Sequence, residues 1–444
     1  MEKSFRQVEE AVANGANVIP LVREFVADVL TPVAAYQRFV QSGERAFLLE
    51  SVEGGERIGR YSFLGARPFA TLTVEDSKLI VTDGSGEKTK RKGCPFLALG
   101  KELEQYKMLD EPGLPRLCCG AVGFMGYEMV RHLEPKVDFA VPQGAEAQLL
   151  LFDRVVAFDR LHQRLLLISS VINRGNSGLR KAYKAAKEGL DEMEALLRKE
   201  TKADQTLLLH RLDKKKGKAL PMRPLIGNSG FSAGVRKLKS HIRAGDIFQA
   251  VLSDRFEVPF RAEPFTVYRA LRTINPSPYM FYLDLGEDVA LGASPEMLVR
   301  VENGVVETRP IAGTRPRGVD EKDDQKQERN LLASVKECAE HIMLVDLGRN
   351  DVGRVAKPGT VSVASLMHIE RYSHVMHMVS SVVGRLKRGK TPWQALGACF
   401  PAGTLTGAPK IKAMELVGSI EPEARGVYGG AIVSYDFRGT LDSA

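Results

Sequence analysis

The first third of the chain alternates short apolar runs with turn-forming residues, and this pattern predicts a succession of strands. The apolar runs lie at residues 46–52, 61–64, 69–74 and 79–81. Turn signals, such as Asp83-Gly84, follow them. Short strands joined by turns pair with their neighbours, so we expect largely antiparallel sheet in this third of the chain.

Longer elements are predicted around and after this meander. Helical patterns occupy residues 4–14, 96–106, 179–199, 232–244, 268–273 and 410–420, and another helix begins at Pro32 with Thr31 as its N-cap. Strand patterns occupy residues 148–158, 164–172, 247–258, 279–285, 289–292 and 427–437, and a hairpin turns at Asn303-Gly304. Ser232 is the predicted N-cap of the helix that ends near Ala244. Strand–helix–strand alternations are few.

One long helix is predicted over residues 321–347, with Gly348 as its stop signal. Glu337 and Glu340 lie three residues apart and therefore share a face. The apolar stripe opposite both glutamates is formed by Leu332, Val335, Ala339 and Ile342. Helical phase alone thus favours a solvated acidic face over a metal site, although the apolar run 343–347 requires the helix to enter a core.

Composition is typical of a folded protein, with 44% hydrophobic and 27% charged residues in 444. The net charge of +8 arises largely in residues 180–223, which carry 13 Lys and Arg against 7 Asp and Glu. Most of this excess falls in one helix and a linker rather than in a patch with stacking aromatic residues, which argues against nucleic-acid binding.

The cysteines number five and form no C-x-x-C pair, which argues against a zinc site and indicates a reducing compartment. The chain opens with the polar residues MEKSFRQVEE rather than a signal peptide, and it contains no apolar run of about 18 residues. We therefore expect a cytoplasmic protein that does not enter a membrane. The linker at 201–229 is expected to separate region 1–200 from region 230–444.

Two segments between apolar strands could carry chemistry. Glu296 follows Ser294-Pro295; as a general acid it would need a pKa raised by burial, and the alternative is a turn-capping glutamate. Residues 309–317 contain three arginines beside Gly313 and Thr314, which could bind a carboxylate; the alternative is a charged surface loop.

Two further segments are more ambiguous. His374 and His377 share a face, and either could serve in acid–base chemistry or simply be structural. The glycine-rich segment 120–129 lacks the rest of a phosphate-binding motif, so its glycines are expected to permit close packing of strands.

Five longer motifs together resemble the chorismate-binding large subunits of anthranilate synthases, and the resemblance extends along nearly the whole chain. They are AGDIFQAVLS (244–253), PIAGTRPRG (310–318), EHIMLVDLGRND (340–351), IERYSHVMH (369–377) and FPAGTLTGAPK (400–410). This resemblance implies an α+β fold of two facing antiparallel sheets flanked by helices, an αββα sandwich. It also implies a reaction in which chorismate and ammonia give anthranilate and pyruvate, the first committed step of tryptophan biosynthesis.

The resemblance implies roles for individual residues at the site. Catalytic roles fall to Glu296, which would protonate the leaving hydroxyl, to His377, and to Thr404. Chorismate contacts and the metal site are implied at Gly313, Thr314, Tyr428, Gln249, Glu340 and Glu337, with the two glutamates serving Mg²⁺ at the ring carboxylate of chorismate. A tryptophan feedback site is implied at Glu50, Ser51, Pro278, Tyr279 and Met280.

Two positions distinguish related activities within this superfamily. Isochorismate synthases carry a lysine where this chain has Gln249, and aminodeoxychorismate synthases usually carry one where it has Ala312. Attack by free ammonia is therefore implied, supplied by a glutamine amidotransferase subunit in a hetero-oligomer. Aminodeoxychorismate synthase with an atypical loop remains an alternative.

Relatives of this kind are expected to continue for roughly fifty residues beyond Ala444, with a further metal-binding glutamate in that segment. This leaves a second alternative, a non-catalytic fragment that binds tryptophan or the amidotransferase.

Overall fold

The computed structural model describes residues 2–40, 43–51, 59–137, 139–140, 142–173, 178–199, 220–372 and 374–444. Ten α-helices lie in these residues: α1 (Phe5–Ala13), α2 (Pro32–Phe39), α3 (Pro95–Glu104), α4 (Leu179–Arg198), α5 (Gly227–Ala244), α6 (Pro264–Ile274), α7 (Glu321–Leu332), α8 (Val335–Gly353), α9 (Pro392–Cys399) and α10 (Lys410–Gly418). Short 3-10 helices lie at Tyr127–His132 and Gly403–Leu405. None of the described helices is long and apolar enough to cross a bilayer.

Strands make up the rest of the regular structure. In chain order they are β1 (Val18–Val26), β2 (Ala46–Glu50), β3 (Tyr61–Ala66), β4 (Ala70–Glu75), β5 (Lys78–Asp83), β6 (Lys88–Arg91), β7 (Gly120–Met125), β8 (Ala147–Phe152), β9 (Arg154–Asp159), β10 (Arg164–Ile172), β11 (Arg223–Pro224), β12 (Gln249–Ala250), β13 (Phe256–Glu257), β14 (Tyr279–Asp284), β15 (Val289–Ser294), β16 (Val299–Glu302), β17 (Val305–Thr308), β18 (Ile311–Pro316), β19 (Ser362–Arg371), β20 (Val375–Arg385), β21 (Gly407–Ala408), β22 (Ala431–Asp436) and β23 (Thr440–Ser443).

Two large antiparallel sheets dominate the fold. One has seven strands in the order β1-β10-β9-β3-β2-β14-β15. The other has twelve, in the order β18-β20-β17-β16-β23-β22-β7-β8-β4-β5-β6, with β19 along the other edge of β20. Both sheets draw strands from either side of residues 201–229, so neither half of the sequence builds a sheet alone.

The two sheets face each other across a shared apolar core. Phe47 of the seven-stranded sheet packs edge-on against Phe152 of the twelve-stranded sheet, with ring centroids 4.8 Å apart. Helices α1, α2, α4 and α6 cover the outer face of the seven-stranded sheet through a second core that includes Val8, Tyr36 and Leu190. The expected α+β architecture of antiparallel sheets flanked by helices is confirmed.

Several predicted local features are confirmed. Ser4 and Gln7 form a capping box at the start of α1. Thr31 is the N-cap of α2, which begins at Pro32, and its hydroxyl accepts a hydrogen bond from Ala34 N–H. The β16–β17 hairpin turns at Asn303-Gly304, where φ is 51° and 71°, as a type I′ turn requires.

Close packing of glycines in the 120–129 segment is also confirmed. A Cβ atom on Gly120 would lie 1.9 Å from the Tyr435 carbonyl oxygen, and one on Gly123 would lie 1.9 Å from the Gln148 carbonyl oxygen. Strand β7 therefore accepts only glycine at these two points, where neighbouring backbones pass too closely for a side chain.

The single strand predicted over 148–158 is wrong. The chain leaves the twelve-stranded sheet after Phe152 and enters the seven-stranded sheet at Arg154, so Asp153 lies at a crossover between them. Both pieces are largely buried, and the charged pair Asp153-Arg154 separates their apolar residues at the break.

The elements predicted around residue 250 are also wrong. Helix α5 begins at Gly227 rather than Ser232, and the Asp254 carboxylate accepts hydrogen bonds from the N–H groups of Leu225 and Ile226 just before it. Residues 247–258 contain only the two-residue strands β12 and β13. Most of the linker, 201–219, lies outside the described residues, so the proposed division into regions 1–200 and 230–444 stays a prediction.

The long helix predicted over 321–347 is two helices. Ser334 interrupts it and caps α8, its hydroxyl accepting a hydrogen bond from Glu337 N–H. Helix α8 also continues beyond Gly348, which packs against Thr308 and Val382 instead of ending the helix.

The predicted apolar stripe points the other way. Val335 is 84% exposed, and Leu332 and Ile342 are each 41% exposed. The buried face of α8 consists of His341, Leu344, Val345, Gly348, Asp351 and Val352. The break at Ser334 uncouples the phases of the two helices, and Glu337 and Glu340 consequently lie half-buried rather than opposite a buried stripe.

Candidate functional site

Glu296 lies on the segment that passes from the seven-stranded to the twelve-stranded sheet, between the end of β15 and the start of β16. Its backbone N–H donates to Ser294 Oγ at 3.3 Å, and Thr404 Oγ1 donates to its Oε2 at 2.8 Å. Burial raises the pKa of Glu296 to about 7, against the opposing effect of the Thr404 hydrogen bond. At neutral pH a substantial fraction of this carboxyl therefore carries a proton that it can donate.

A cavity adjoins this carboxyl. Its lining includes Glu296 and Thr404 together with Leu344, Leu347 and Asp351 of α8. The side of Glu296 that faces this cavity is thus mostly apolar, which explains the desolvation that raises its pKa.

His377 and Thr314 face each other across β20 and β18. They are register partners, and Thr314 Oγ1 lies 3.0 Å from His377 Nδ1. The register shifts just before this pair, at Gly313, whose φ of +79° glycine adopts without strain. Burial lowers the pKa of His377, so the imidazole is mainly neutral at pH 7.

The first turns of α8 approach the same bulge. Arg315 Nη1 donates to Glu337 Oε1 at 3.3 Å. A Cβ atom on Gly313 would lie 3.5 Å from Glu337 Oε2, which places this carboxylate directly over the glycine. The helix thus brings an acidic group to the strand that carries Gly313 and Thr314.

Glu340 lies one turn further along α8 and meets the two-stranded sheet of β12 and β21. Gln249 Nε2 donates to Glu340 Oε1 at 3.3 Å. The other amide atom, Gln249 Oε1, is buried and has no hydrogen-bond partner. An orphaned, buried oxygen beside a carboxylate is the kind of group that a cation or a substrate donor would satisfy.

The residues present fit a magnesium ion of the kind that keeps most of its waters. Within the described ranges no three or more His, Cys, Asp or Glu side chains form a metal cage. Mg²⁺ commonly binds through one or two protein carboxylates plus waters and substrate oxygens. Glu340 offers that carboxylate, with the Gln249 oxygen beside it, whereas Glu337 is already engaged by Arg315.

Tyr428 is not brought into these contacts. Its side chain is 54% exposed. The remaining residues of the predicted site meet in contacting groups: Glu296 with Thr404, Thr314 with His377, Gly313 with Glu337, and Gln249 with Glu340.

The residues predicted for a tryptophan site gather separately, between the two sheets. Glu50 and Met280 are register partners on β2 and β14, and with Ser51 and Tyr279 they line one cavity. Pro278 is buried immediately before β14. The cavity volume is about 70 Å³, which is smaller than the several hundred Å³ of typical small-molecule sites.

Some buried polar groups in these regions were missed by the sequence analysis. Asp442 Oδ2 accepts from Arg300 Nη2 at 3.0 Å, and Tyr279 Oη donates to Asp442 Oδ1 at 3.1 Å. Alternating strand patterns such as VRVE give no sign that the arginine faces inward. Asp351 and Lys410 form a second buried pair, and both lie inside the motifs quoted above.

Comparison with known proteins gives the family. A family model described as chorismate binding enzyme matches residues 44–444. The anthranilate synthase component 1 of Acetivibrio thermocellus is 45% identical over 439 residues, which are 97% of this chain and 87% of the relative. The chain belongs to the chorismate-binding enzymes, in the anthranilate synthase component 1 family.

Other members and solved structures agree with this family. The anthranilate synthase component 1 of a Synechocystis species is 42% identical, covering 98% of this chain and 87% of its own length. The crystal structure of anthranilate synthase component I from Streptococcus pneumoniae TIGR4 has 33% identity and a TM-score of 0.76, covering 95% of this chain and 89% of that one.

The fold also matches more distant enzymes. The menaquinone-specific isochorismate synthase of Escherichia coli superimposes with a TM-score of 0.65 at 15% identity, covering 99% of this chain and 88% of that one. Identity this low shows a shared fold alone. This chain and that enzyme therefore share a fold.

Proposed function

We propose that this protein is the large subunit of anthranilate synthase, a lyase that converts chorismate and ammonia to anthranilate, pyruvate and water. The observation that carries the proposal is the half-buried Glu296 carboxyl, with a pKa of about 7, in a member of this family. The reaction must expel a hydroxide-like group from a ring, and that step needs a proton donor at neutral pH.

Glu296 supplies that proton in our proposal. Ammonia forms a bond to ring carbon 2 of chorismate, the ring double bonds shift, and the C4–O bond breaks. The leaving oxygen takes the proton from the Glu296 carboxyl and departs as water. The Thr404 hydroxyl, 2.8 Å from Oε2, fixes the carboxyl and stabilises the carboxylate that remains.

His377 serves the second half of the reaction. Pyruvate leaves as its enolate when the C3–O bond breaks, while ring carbon 2 loses its proton and the ring becomes aromatic. The enolate then takes up a proton to give pyruvate. A neutral imidazole can accept that proton, and burial keeps the His377 imidazole neutral by lowering its pKa. Thr314 holds the ring in place through the 3.0 Å contact to Nδ1.

The nature of the nucleophile follows from two side chains. Gln249 and Ala312 occupy the positions where the resemblance places nucleophile-activating or nucleophilic lysines in related enzymes. A carboxamide and a methyl group can neither deprotonate water nor attack the ring. Free ammonia is therefore the proposed nucleophile, which favours anthranilate over isochorismate or aminodeoxychorismate as product.

A bound Mg²⁺ ion would neutralise the ring carboxylate of chorismate and withdraw electron density from the ring. Glu340 is the residue that we propose holds it, with the Gln249 amide oxygen beside it and Glu337 nearby. Arg315, paired with Glu337 at 3.3 Å, adds positive charge at the same edge of the site and suits a dianionic substrate.

Partner and regulation are proposed on the same basis. The relatives are named component 1, and we propose that a glutamine amidotransferase subunit delivers ammonia to this chain in a cytoplasmic hetero-oligomer. All five cysteines are unpaired, which suits a reducing compartment. We also propose that tryptophan inhibits by occupying the cavity lined by Glu50, Ser51, Tyr279 and Met280.

The experiment that tests the proposal supplies chorismate, Mg²⁺ and ammonium to the purified chain. Anthranilate fluorescence should appear, and Glu296→Gln should reduce the rate by at least a hundredfold, in line with loss of a general acid. Chromatography of the products distinguishes the alternatives. Aminodeoxychorismate or isochorismate as the main product would refute the proposal, as would an unchanged rate in the E296Q variant.

Tryptophan binding is tested separately by thermal unfolding. Tryptophan should raise the melting temperature of the full chain, because a ligand that binds only the folded state stabilises it. Met280→Thr, at the cavity wall, should weaken the shift. A substitution on the same strand at a residue that does not line this cavity, Leu283→Val, should leave most of it.

A further inference from the structure

One buried ammonium group joins three helices beside the Glu296 cavity. Lys410, the first residue of α10, places Nζ 2.7 Å from Asp351 Oδ2 on α8. The same Nζ donates to the carbonyl oxygen of Cys399, the last residue of α9, at 3.0 Å. Only 11% of the Lys410 side chain and 10% of the Asp351 side chain are exposed.

These contacts close the base of a loop. Residues 400–409 leave α9 directly after Cys399 and return directly before Lys410, so the ammonium fastens both ends of the loop to α8. The middle of the loop also rests on α8, because a Cβ atom on Gly403 would come within 2.1 Å of Leu347 Cδ2. The loop is thus held at its base and at its tip.

The tip of this loop carries Thr404, whose hydroxyl donates to Glu296 Oε2 at 2.8 Å. Asp351, Cys399, Thr404 and Glu296 all line the same cavity. The Lys410 ammonium is therefore connected to the Glu296 carboxyl through one short loop and one hydrogen bond. A loosened base would move the hydroxyl, and a shift well under 1 Å suffices to weaken a hydrogen bond of this length.

We propose that Lys410, together with Asp351, is a positioning residue that keeps the Thr404 hydroxyl on Glu296 and so sets the acidity of the proton donor. The inference deepens the proposed function and rests on it for its catalytic meaning. A bare stabilising ion pair would leave the acidity of Glu296 unchanged, so the two roles are separable by measurement.

The direction in which the pKa of Glu296 should change follows from the hydrogen bond that Thr404 donates to it. A hydroxyl that donates to a carboxylate stabilises the charged form and lowers the pKa, so losing it raises the pKa of Glu296. Thr404→Val should therefore move the basic limb of the kcat profile to higher pH, by about one unit. Lys410→Met should move it in the same direction, and Lys410→Arg should restore most of the original position.

A double-mutant cycle decides whether Lys410 acts through Thr404. If it does, the Lys410→Met/Thr404→Val variant should show no larger shift than Thr404→Val alone. Additive shifts would overturn the proposal. If Lys410→Met fails to fold, Asp351→Asn replaces it, because asparagine keeps a polar partner for the ammonium. Asp351→Asn should shift the basic limb of the kcat profile by a smaller amount, and it should add no further shift to the Thr404→Val variant.

A control variant separates positioning from general stability. Arg438 forms another buried pair with Asp436, at 2.7 Å, and neither residue lines the Glu296 cavity. Arg438→Met should lower the melting temperature yet leave the basic limb in place. A Lys410→Met variant that behaves in the same way, with a lower melting temperature and an unchanged limb, would show that its ion pair is only structural.

A readout without catalysis keeps this test independent of the proposed function. The pH dependence of the unfolding free energy, compared with and without Glu296→Gln, gives the folded-state pKa of Glu296 in each background. A raised pKa in Lys410→Met supports the inference even if the chain produces no anthranilate. An unchanged pKa refutes it even if the chain is fully active.

Discussion

Thr314 and His377 are direct register partners on β18 and β20, and the Thr314 hydroxyl lies 3.0 Å from His377 Nδ1. The contact fixes the orientation of an imidazole that burial keeps neutral. The pair lies directly after the β-bulge at Gly313. This bulge turns this end of β18 toward the first turns of α8. The strand pair and the helix are thus one unit, and the predictions below test its parts.

Removing the hydroxyl should disorder the imidazole without unfolding the protein. We expect Thr314→Val to lower kcat by roughly tenfold, because a misoriented base transfers protons less efficiently. Stability should change by only about 1 kcal/mol, the net worth of a typical hydrogen bond. Steady-state kinetics and thermal unfolding measure both. Thr314→Ser, which keeps the hydroxyl, should retain most of the rate, and an inactive serine variant would contradict this account.

The bulge itself should accept only glycine. A Cβ atom at Gly313 would be strained at a φ of +79° and would meet Leu331 Cδ1 at 3.1 Å. We expect Gly313→Ala to cost about 1–3 kcal/mol of stability and to reduce kcat/KM sharply, because the bulge positions Thr314.

Gly389 is the matched control for that substitution. Its φ is +80°, and nothing lies within 4 Å of the position of its Cβ. Gly389→Ala should therefore show a loss of stability from backbone strain while activity persists. Equal losses of activity in the two variants would mean that the effect at Gly313 is strain alone.

Glu296 should make the folded state less stable as pH rises. Its folded-state pKa of about 7 lies above the ordinary value of 4.5, so its favourable contribution is complete below pH 4.5 and is lost as pH rises toward 7. One pKa unit corresponds to 1.36 kcal/mol, so the loss amounts to about 3 kcal/mol at most. Glu296→Gln, which does not titrate, should escape this loss.

Denaturant unfolding at several pH values measures the difference between the two proteins. Glu188→Gln serves as the control, because Glu188 lies exposed on α4, where it pairs with Lys184 in the i,i+4 arrangement. The difference in unfolding free energy between Glu188→Gln and the unmodified chain should stay constant across the same pH range. Parallel curves for the unmodified chain and Glu296→Gln would show that Glu296 has an ordinary pKa.

The two carboxylates of α8 should differ in their contribution to metal binding. Glu340 accepts a hydrogen bond from the Gln249 amide, whereas Glu337 is paired with Arg315. We expect Glu340→Gln to weaken Mn²⁺ binding, followed by electron paramagnetic resonance with chorismate present, by at least tenfold. Glu337→Gln should weaken it less. The reverse order would place the ion on Glu337 and would require Arg315 to move away.

The sequence predicts much of the antiparallel architecture because strand patterns, turns and caps are local signals. Thr31 and Asn303-Gly304 each act within a few residues, and both predictions are confirmed. The break at Asp153 was missed although Asp153 and Arg154 interrupt the apolar residues there, because the segments on both sides have the same apolar strand pattern and nothing local shows that they enter different sheets.

The phase of α8 shows a second reason for failure. A single polar residue, Ser334, starts a new helix, and the apolar residues near it remain exposed while His341 and Asp351 are buried. Which face of a helix enters a core depends on distant strands, here β18 and β20. The motifs, by contrast, single out residues that mostly contact one another in the structure, and the roles assigned to these residues stay predictions.

The most direct test of the central claim is the pH dependence of anthranilate formation at saturating chorismate and Mg²⁺. Total ammonium should be adjusted at each pH so that the concentration of free ammonia stays constant. We predict that kcat falls with a basic limb near pH 7, set by the Glu296 carboxyl, and that Glu296→Gln removes both the limb and most of the rate. A rate that is constant from pH 6 to 8.5, or one that Glu296→Gln leaves intact, would contradict the account.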